Sequence, residues 1–161
     1  MAVTLDHTPG TPNHVPEETY ADFIEHFPTV CVEVVLAHDG GVLVAKRANE
    51  PVRGEWFWPG SRLYKGEELE DAARRVAREE LGIEVELDEQ LGVHAHFWDE
   101  SDVVGSPSRH TVNVVFLATP VEEAPTIELD DQHTEYRWLT EADPDLHEYV
   151  RLYLEEHNLL T

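Results

Sequence analysis

The stretch EELEDAARRVAREELG, residues 67–82, constrains this chain more than any other. Leu69, Ala72, Ala73 and Val76 recur at helical spacing and define one apolar face, which should look into a core. At about 100° per residue, Glu80 falls in line with Ala73 and Val76, and Glu79 sits on the border of the stripe. A buried carboxylate costs several kcal/mol unless something pairs it. The helix must therefore bring Arg75 or another arginine to Glu80, or a bound cation must meet it there. Glu67, Glu68 and Glu70 suit the positive end of a helix starting near Gly66, and Gly82 suits its stop.

The flanking segments read as strands. TVCVEVVLAH (29–38), the turn Asp39-Gly40-Gly41 and VLVAKR (42–47) predict a hairpin. EWFWPG is a short aromatic strand, with Trp56 and Trp58 as packing residues, and SRLYKG after it reads as a loop. IEVELDE, LGVHAHFW and TVNVVFLATP give three more strands, and EYRWLT closes the set. Leu146, Tyr149, Val150, Tyr153 and Leu154 mark a final amphipathic helix. The order predicts an α+β fold, an α/β/α sandwich around a mixed sheet. Pro9, Pro12 and Pro16 assign residues 1–18 to an extended arm ahead of a single domain over 19–161.

Charge narrows the partners. With 34 acidic against 11 basic residues and a formal charge of -23, the surface repels nucleic acids and anionic membranes. The bland reading of this coat is adaptation to high salt, and an anionic substrate would need local arginines or a metal. Cys31, the single cysteine, reads as a core residue of a protein in a reducing cytoplasm. No apolar run has the length of a membrane span.

From Gly60 to Ile83, GSRLYKGEELEDAARRVAREELGI resembles the Nudix box, G-x5-E-x7-R-E-U-x-E-E-x-G-U with U apolar. Counted from Ser61, the residues Glu67, Arg75, Glu79, Glu80, Gly82 and Ile83 fall on pattern positions. Ser61 replaces the opening glycine, and Val76 replaces the glutamate after Arg75. The resemblance implies a Nudix-type sandwich and Mg²⁺-dependent hydrolysis of nucleoside diphosphates linked to another group. The loss at Val76 removes a carboxylate that phosphorus-attacking members use.

A narrower resemblance, through KRANEPVRGEWFWPGSRLYKGEELEDAARR and DDQHTEYRWLT, is to the GDP-mannose mannosyl hydrolase branch, which cleaves at the sugar carbon. It implies Mg²⁺, or Mn²⁺, held by Glu80, the Gly60 carbonyl and Gln132, with Glu79 as a further or water-mediated ligand. It makes His133 the general base and places Arg62 and Arg47 on the diphosphate. Glu33 stands for a sugar-binding aspartate, Trp98 for a substrate-side tyrosine, His96 for a diphosphate contact and Thr111 for a tyrosine that helps the leaving group. The expected partner is a small-molecule nucleotide sugar, with a homodimer left open.

The residues support that chemistry without requiring it. Nucleoside diphosphate leaves readily once its charge is met, so one base and one electrophilic clamp suffice. An imidazole in a polar loop suits the base, although His133 is one of 10 histidines and the bland reading is a surface residue. Arg75 is divided between substrate and helix pairing, and Glu79 could simply pair with it, whereas Arg74 and Arg78 read as helix-surface partners of nearby carboxylates. His94 and His96 alternate on one strand face, a weak metal signature. The leading expectation is hydrolysis of a GDP-hexose to GDP and free sugar. A conventional pyrophosphohydrolase and an inactive nucleotide-binding module are the alternatives.

Overall fold

Strand β1 (Thr29–His38) is buried from Cys31 through Leu36, which demands cover on both faces. The computed structural model describes residues 15–49, 53–99 and 108–160 and puts β1 at the centre of a seven-stranded mixed sheet. Thr29–Leu36 run parallel to Thr111–Ala118 of β6 (Arg109–Pro120). On its other edge β1 pairs antiparallel first with β4 (Gly60–Arg62) and then, at the turn, with β2 (Gly41–Arg47). β2 also carries the short β3 (Trp56–Phe57) and β7 (His133–Leu139). β5 (Val85–Trp98) lies antiparallel on β6.

Alternation along the strands builds two cores. Val32, Val34 and Leu36 face helix α2 (Leu69–Val76), through Ala72, Ala73 and Val76, and Leu81 of the π-helical turn Ala77–Leu81 that continues it. Val35, Val42 and Val44 face helix α3 (Glu148–Glu156), through Val150, Tyr153 and Leu154. The sandwich of helix, mixed sheet and helix is thus as the patterning predicts. Gly82 ends the π turn at φ 70°, where a Cβ would also meet the Glu128 side chain at 3.0 Å.

Several details differ from expectation. Ser61 and Arg62, read as the start of a loop, belong to strand β4 (Gly60–Arg62), because pairing with β1 satisfies their backbone. The segments IEVELDE and LGVHAHFW form one strand, β5, which absorbs the intervening residues as register shifts between Leu87 and Glu89 and between Gln90 and Gly92. The box helix starts at Leu69, since the Glu67 carboxylate is taken by the Tyr64 N–H at 3.1 Å and by Arg75. Helix α1 (Glu17–His26), which buries Tyr20 and Ile24, has no counterpart in the sequence reading. Glu17 and Glu18, expected at the end of the extended arm, form its first turn; residues 1–14 of that arm lie outside the described residues. Among the described residues, no helix is long and apolar enough to cross a membrane.

Candidate active site

The π turn at the end of α2 carries Glu80 beneath the loop that leads into β7. Its side chain is 1% exposed, and its Oε1 accepts a hydrogen bond from Gly60 N–H at 3.3 Å and lies 3.8 Å from His133 Nε2. On the opposite side of the imidazole, His133 Nδ1 is 2.7 Å from Asp130 Oδ1. Local folding fixes this pair. Asp130 Oδ1 also accepts from Gln132 N–H at 3.3 Å, and Gln132 carbonyl oxygen accepts from Ala48 N–H at 2.8 Å, so the loop is tied to the end of β2.

Burial, and then the negative charge of Asp130, push the Glu80 carboxyl well above the ordinary range, against Gly60 N–H and Arg47. Burial would raise Asp130 too, but the hydrogen bond and charge of His133 bring it below its usual value. One ligand atom each from Glu80, Asp130 and His133 lies within 4.8 Å of the others. Glu80 Oε2 and His133 Nε2 are buried without a hydrogen-bond partner. A buried carboxylate oxygen without a hydrogen-bond partner, facing a second carboxylate, fits a divalent cation at Glu80, which would hold it ionised.

Beside this cluster, between β1, β4 and β6, lies a cavity lined by Arg47, Arg62 and Arg109, with Gln132 and Gly60 at its cluster end. A chain with only 11 basic residues thus places three arginines on one concave surface. Its floor is a directed hydrogen-bond chain. Trp98 Nε1–H donates to Thr111 Oγ1 at 3.0 Å, Thr111 donates to Asn113 Oδ1 at 2.6 Å, and the Asn113 amide donates to Glu33 Oε1. Glu33 Oε2 is buried with no hydrogen-bond partner. Burial raises the Glu33 carboxyl to about 7 although Asn113 and Arg47 oppose the shift, so near neutrality it can donate or accept. A Cβ at Gly60 would meet Glu33 Cγ at 2.7 Å, so glycine is what lets β4 approach this wall.

The structure therefore gathers Gly60, Glu80, Gln132, His133, Arg47, Arg62, Glu33 and Trp98 in one region. Three expected residues go elsewhere. Arg75 is not on the cavity; its guanidinium donates to Glu67 at 2.7 and 2.9 Å, to Ser61 Oγ at 3.1 Å and to the Arg62 carbonyl at 3.0 Å. It also lies 3.7 Å from the Tyr64 ring. Glu79, 3.4 Å from Arg75, belongs to this brace and not to the Glu80 cluster. His96 is 1% exposed and stacks on Tyr149 at 3.9 Å; burial depresses it to about 4, so it packs as a neutral ring. His94 and His96 do not converge on a metal cluster: His94 pairs with Glu156 at 3.2 Å.

Two residues here escaped the sequence reading. Asp130 could have been found from its spacing, a carboxylate three residues before His133. Arg109, at the end of a polar loop, carries no local signal.

Residues 25–156 match the NUDIX domain family. The chain is 40% identical, over 141 residues, to the low-salt glycan biosynthesis protein Agl8 of Haloferax volcanii, covering 88% of this chain and 89% of that one. To the ADP-ribose pyrophosphatase of Methanocaldococcus jannaschii it is 31% identical over 90 residues, 56% of this chain and 50% of the relative. The crystal structure of a MutT NUDIX hydrolase from Burkholderia pseudomallei superposes with a TM-score of 0.60 at 29% identity, over 80% of this chain and 96% of that one. The MutT protein of Methanosarcina mazei Go1, at a TM-score of 0.66, 21% identity and coverages of 81% and 94%, shares the fold. With the family match spanning most of the chain and the box glutamate turned into a cation-type cluster, the chain belongs to the Nudix family of hydrolases.

Proposed function

We propose that this Nudix hydrolase cleaves a GDP-hexose to GDP and free sugar by attack of water at the anomeric carbon. The observation that carries this reading is the Asp130–His133 pair, a base outside the box whose Nε2 lies at the Glu80 cluster. At the box position where phosphorus-attacking members keep a glutamate, Val76 is fully buried in the core. The glycan biosynthesis role named for the Haloferax volcanii relative supports a sugar-bearing substrate.

In this reading Glu80, the Gly60 carbonyl and Gln132 would hold Mg²⁺ or Mn²⁺, and the ion would supply positive charge to a diphosphate leaving group. Arg47, Arg62 and Arg109 bind its oxygens, where forked guanidiniums suit paired anionic acceptors. Glu33 meets a sugar hydroxyl, held in place by Asn113. Asp130 fixes the proton of His133 on Nδ1, which leaves Nε2 to take a proton from water. The water oxygen bonds to the anomeric carbon while the carbon–oxygen bond breaks and its electrons go to the diphosphate oxygen. Attack opposite the leaving group inverts the sugar carbon.

Hydrolysis of GDP-mannose in ¹⁸O-labelled water should place the label in the sugar. His133→Ala should lower kcat by roughly 10²-fold to 10⁴-fold, the range for losing a positioned base. GMP and a sugar phosphate, with label on phosphorus, would instead establish the pyrophosphohydrolase reading, which the similarity to the Methanocaldococcus jannaschii ADP-ribose pyrophosphatase favours.

A further inference from the structure

Tyr20 is one of two buried residues of α1, 4% exposed, and it precedes residues 25–156 that match the NUDIX domain. Its ring centroid lies 5.8 Å from Arg62 Cζ, which is also 4.7 Å from the Tyr64 ring. Its hydroxyl oxygen accepts a hydrogen bond from Arg109 Nη2 at 3.2 Å. Arg62 comes from β4 and Arg109 from the start of β6, the strands that pair with β1 on its two sides, and both arginines line the cavity. Tyr20 is thus a group that both guanidiniums share.

We propose that Tyr20 is a positioning residue, through which α1 holds Arg62 and Arg109 at the cavity, so that the anion clamp of this chain is completed by a residue ahead of the stretch 25–156 that matches the NUDIX domain. The proposal rests on the reading that the cavity takes a diphosphate group. A phenol suits the task chemically. Its ring face attracts one cation and its oxygen accepts from another, whereas phenylalanine keeps only the first contact and leucine neither. Arginine side chains lose rotamer entropy on binding an anion, and holding them beforehand lowers that cost.

The test uses the whole chain and Mg²⁺ with inorganic pyrophosphate as probe, followed by calorimetry, with thermal melts of each variant. Tyr20→Phe should weaken binding by about 3-fold to 10-fold, the loss typical of one ordinary hydrogen bond. Tyr20→Leu should weaken it further, because Arg62 is released as well. In an Arg109→Gln background Tyr20→Phe should have no additional effect, since the hydroxyl acts through Arg109. In turnover of GDP-mannose, KM should rise by the same factor while kcat changes by less than about twofold. Wild-type affinity in Tyr20→Phe, an undiminished effect in the Arg109→Gln background, or a wild type that does not bind pyrophosphate would overturn the proposal. If Tyr20→Leu fails to fold, Tyr20→Phe decides. A wild type that binds pyrophosphate but releases no GDP from GDP-mannose counts against the substrate reading alone.

Discussion

Glu79 and Glu80 are adjacent on one helical turn and live in opposite electrostatic surroundings. Glu79 leans on Arg75, which Glu67, Ser61 and the Arg62 carbonyl also engage, so the brace is balanced in the sense that each of its carboxylates has a guanidinium partner. Glu80 has no lysine or arginine ion pair among the described residues and faces a second carboxylate, Asp130, across His133. A balanced buried network holds a fold together, whereas an unbalanced one is stable only if the fold is held elsewhere and a ligand completes it. On the proposed function, the difference separates residues that shape this site from residues that act in it.

The contrast breaks most sharply at Glu80. Glu80→Gln should lower turnover by roughly 10²-fold to 10⁴-fold, because an amide is a poorer ligand for a hard cation. The same change should leave stability without added metal unchanged or higher, since it removes a buried charge. A melt showing large destabilisation would place Glu80 in the structural network after all. Arg75→Met should do the reverse. It should cost about 3 kcal/mol in a denaturant titration by stranding Glu67, while any protein still folded at low temperature keeps turnover within about tenfold. A kcat collapse with native stability would return Arg75 to the substrate.

Glu33 sharpens the comparison through pH. Its carboxyl is raised from 4.5 to about 7 in the folded chain, so between those values the folded state binds the extra proton. Its contribution to stability is then fully present below pH ~4.5 and is lost as pH rises through ~7, by at most about 3 kcal/mol. Glu33→Gln should flatten this part of the stability curve measured by melts from pH 4.5 to 8; an unchanged slope would assign the dependence to other groups. The smallest expected effect concerns the whole surface. At a formal charge of -23, the melting temperature should climb by several degrees from dilute to molar KCl as self-repulsion is screened. A flat response would remove salt adaptation as the reason for the composition.

Sequence reading reached Glu80 because its signal is local, a carboxylate that breaks an apolar stripe, and reached His133 through the resemblance carried by the Gln132-His133 pair. It could not reach Tyr20 and Arg109, which meet across 89 residues through pairing that no short spacing encodes. It misplaced Ser61 and Arg62 because serine and arginine carry little strand propensity, and β1 supplies the backbone partners. The resemblance gives His96 a substrate contact and the spacing leaves Arg75 divided between substrate and helix pairing, but in three dimensions packing against Tyr149 and pairing with Glu67 claim them.

The parallel pairing of β1 with β6 bears on how this protein comes into being. The cavity has one wall from β1 and another from β6, joined at Thr29 with Thr111 and onward, roughly eighty residues apart in a chain that emerges from the ribosome N-terminus first. The hairpin of β1 and β2 and the box helix can form early from nearby contacts, but Glu33 meets Asn113 only after the long loop has closed. The cavity is therefore among the last features the nascent chain acquires, and fragments ending before β6 would contain the whole box yet lack it.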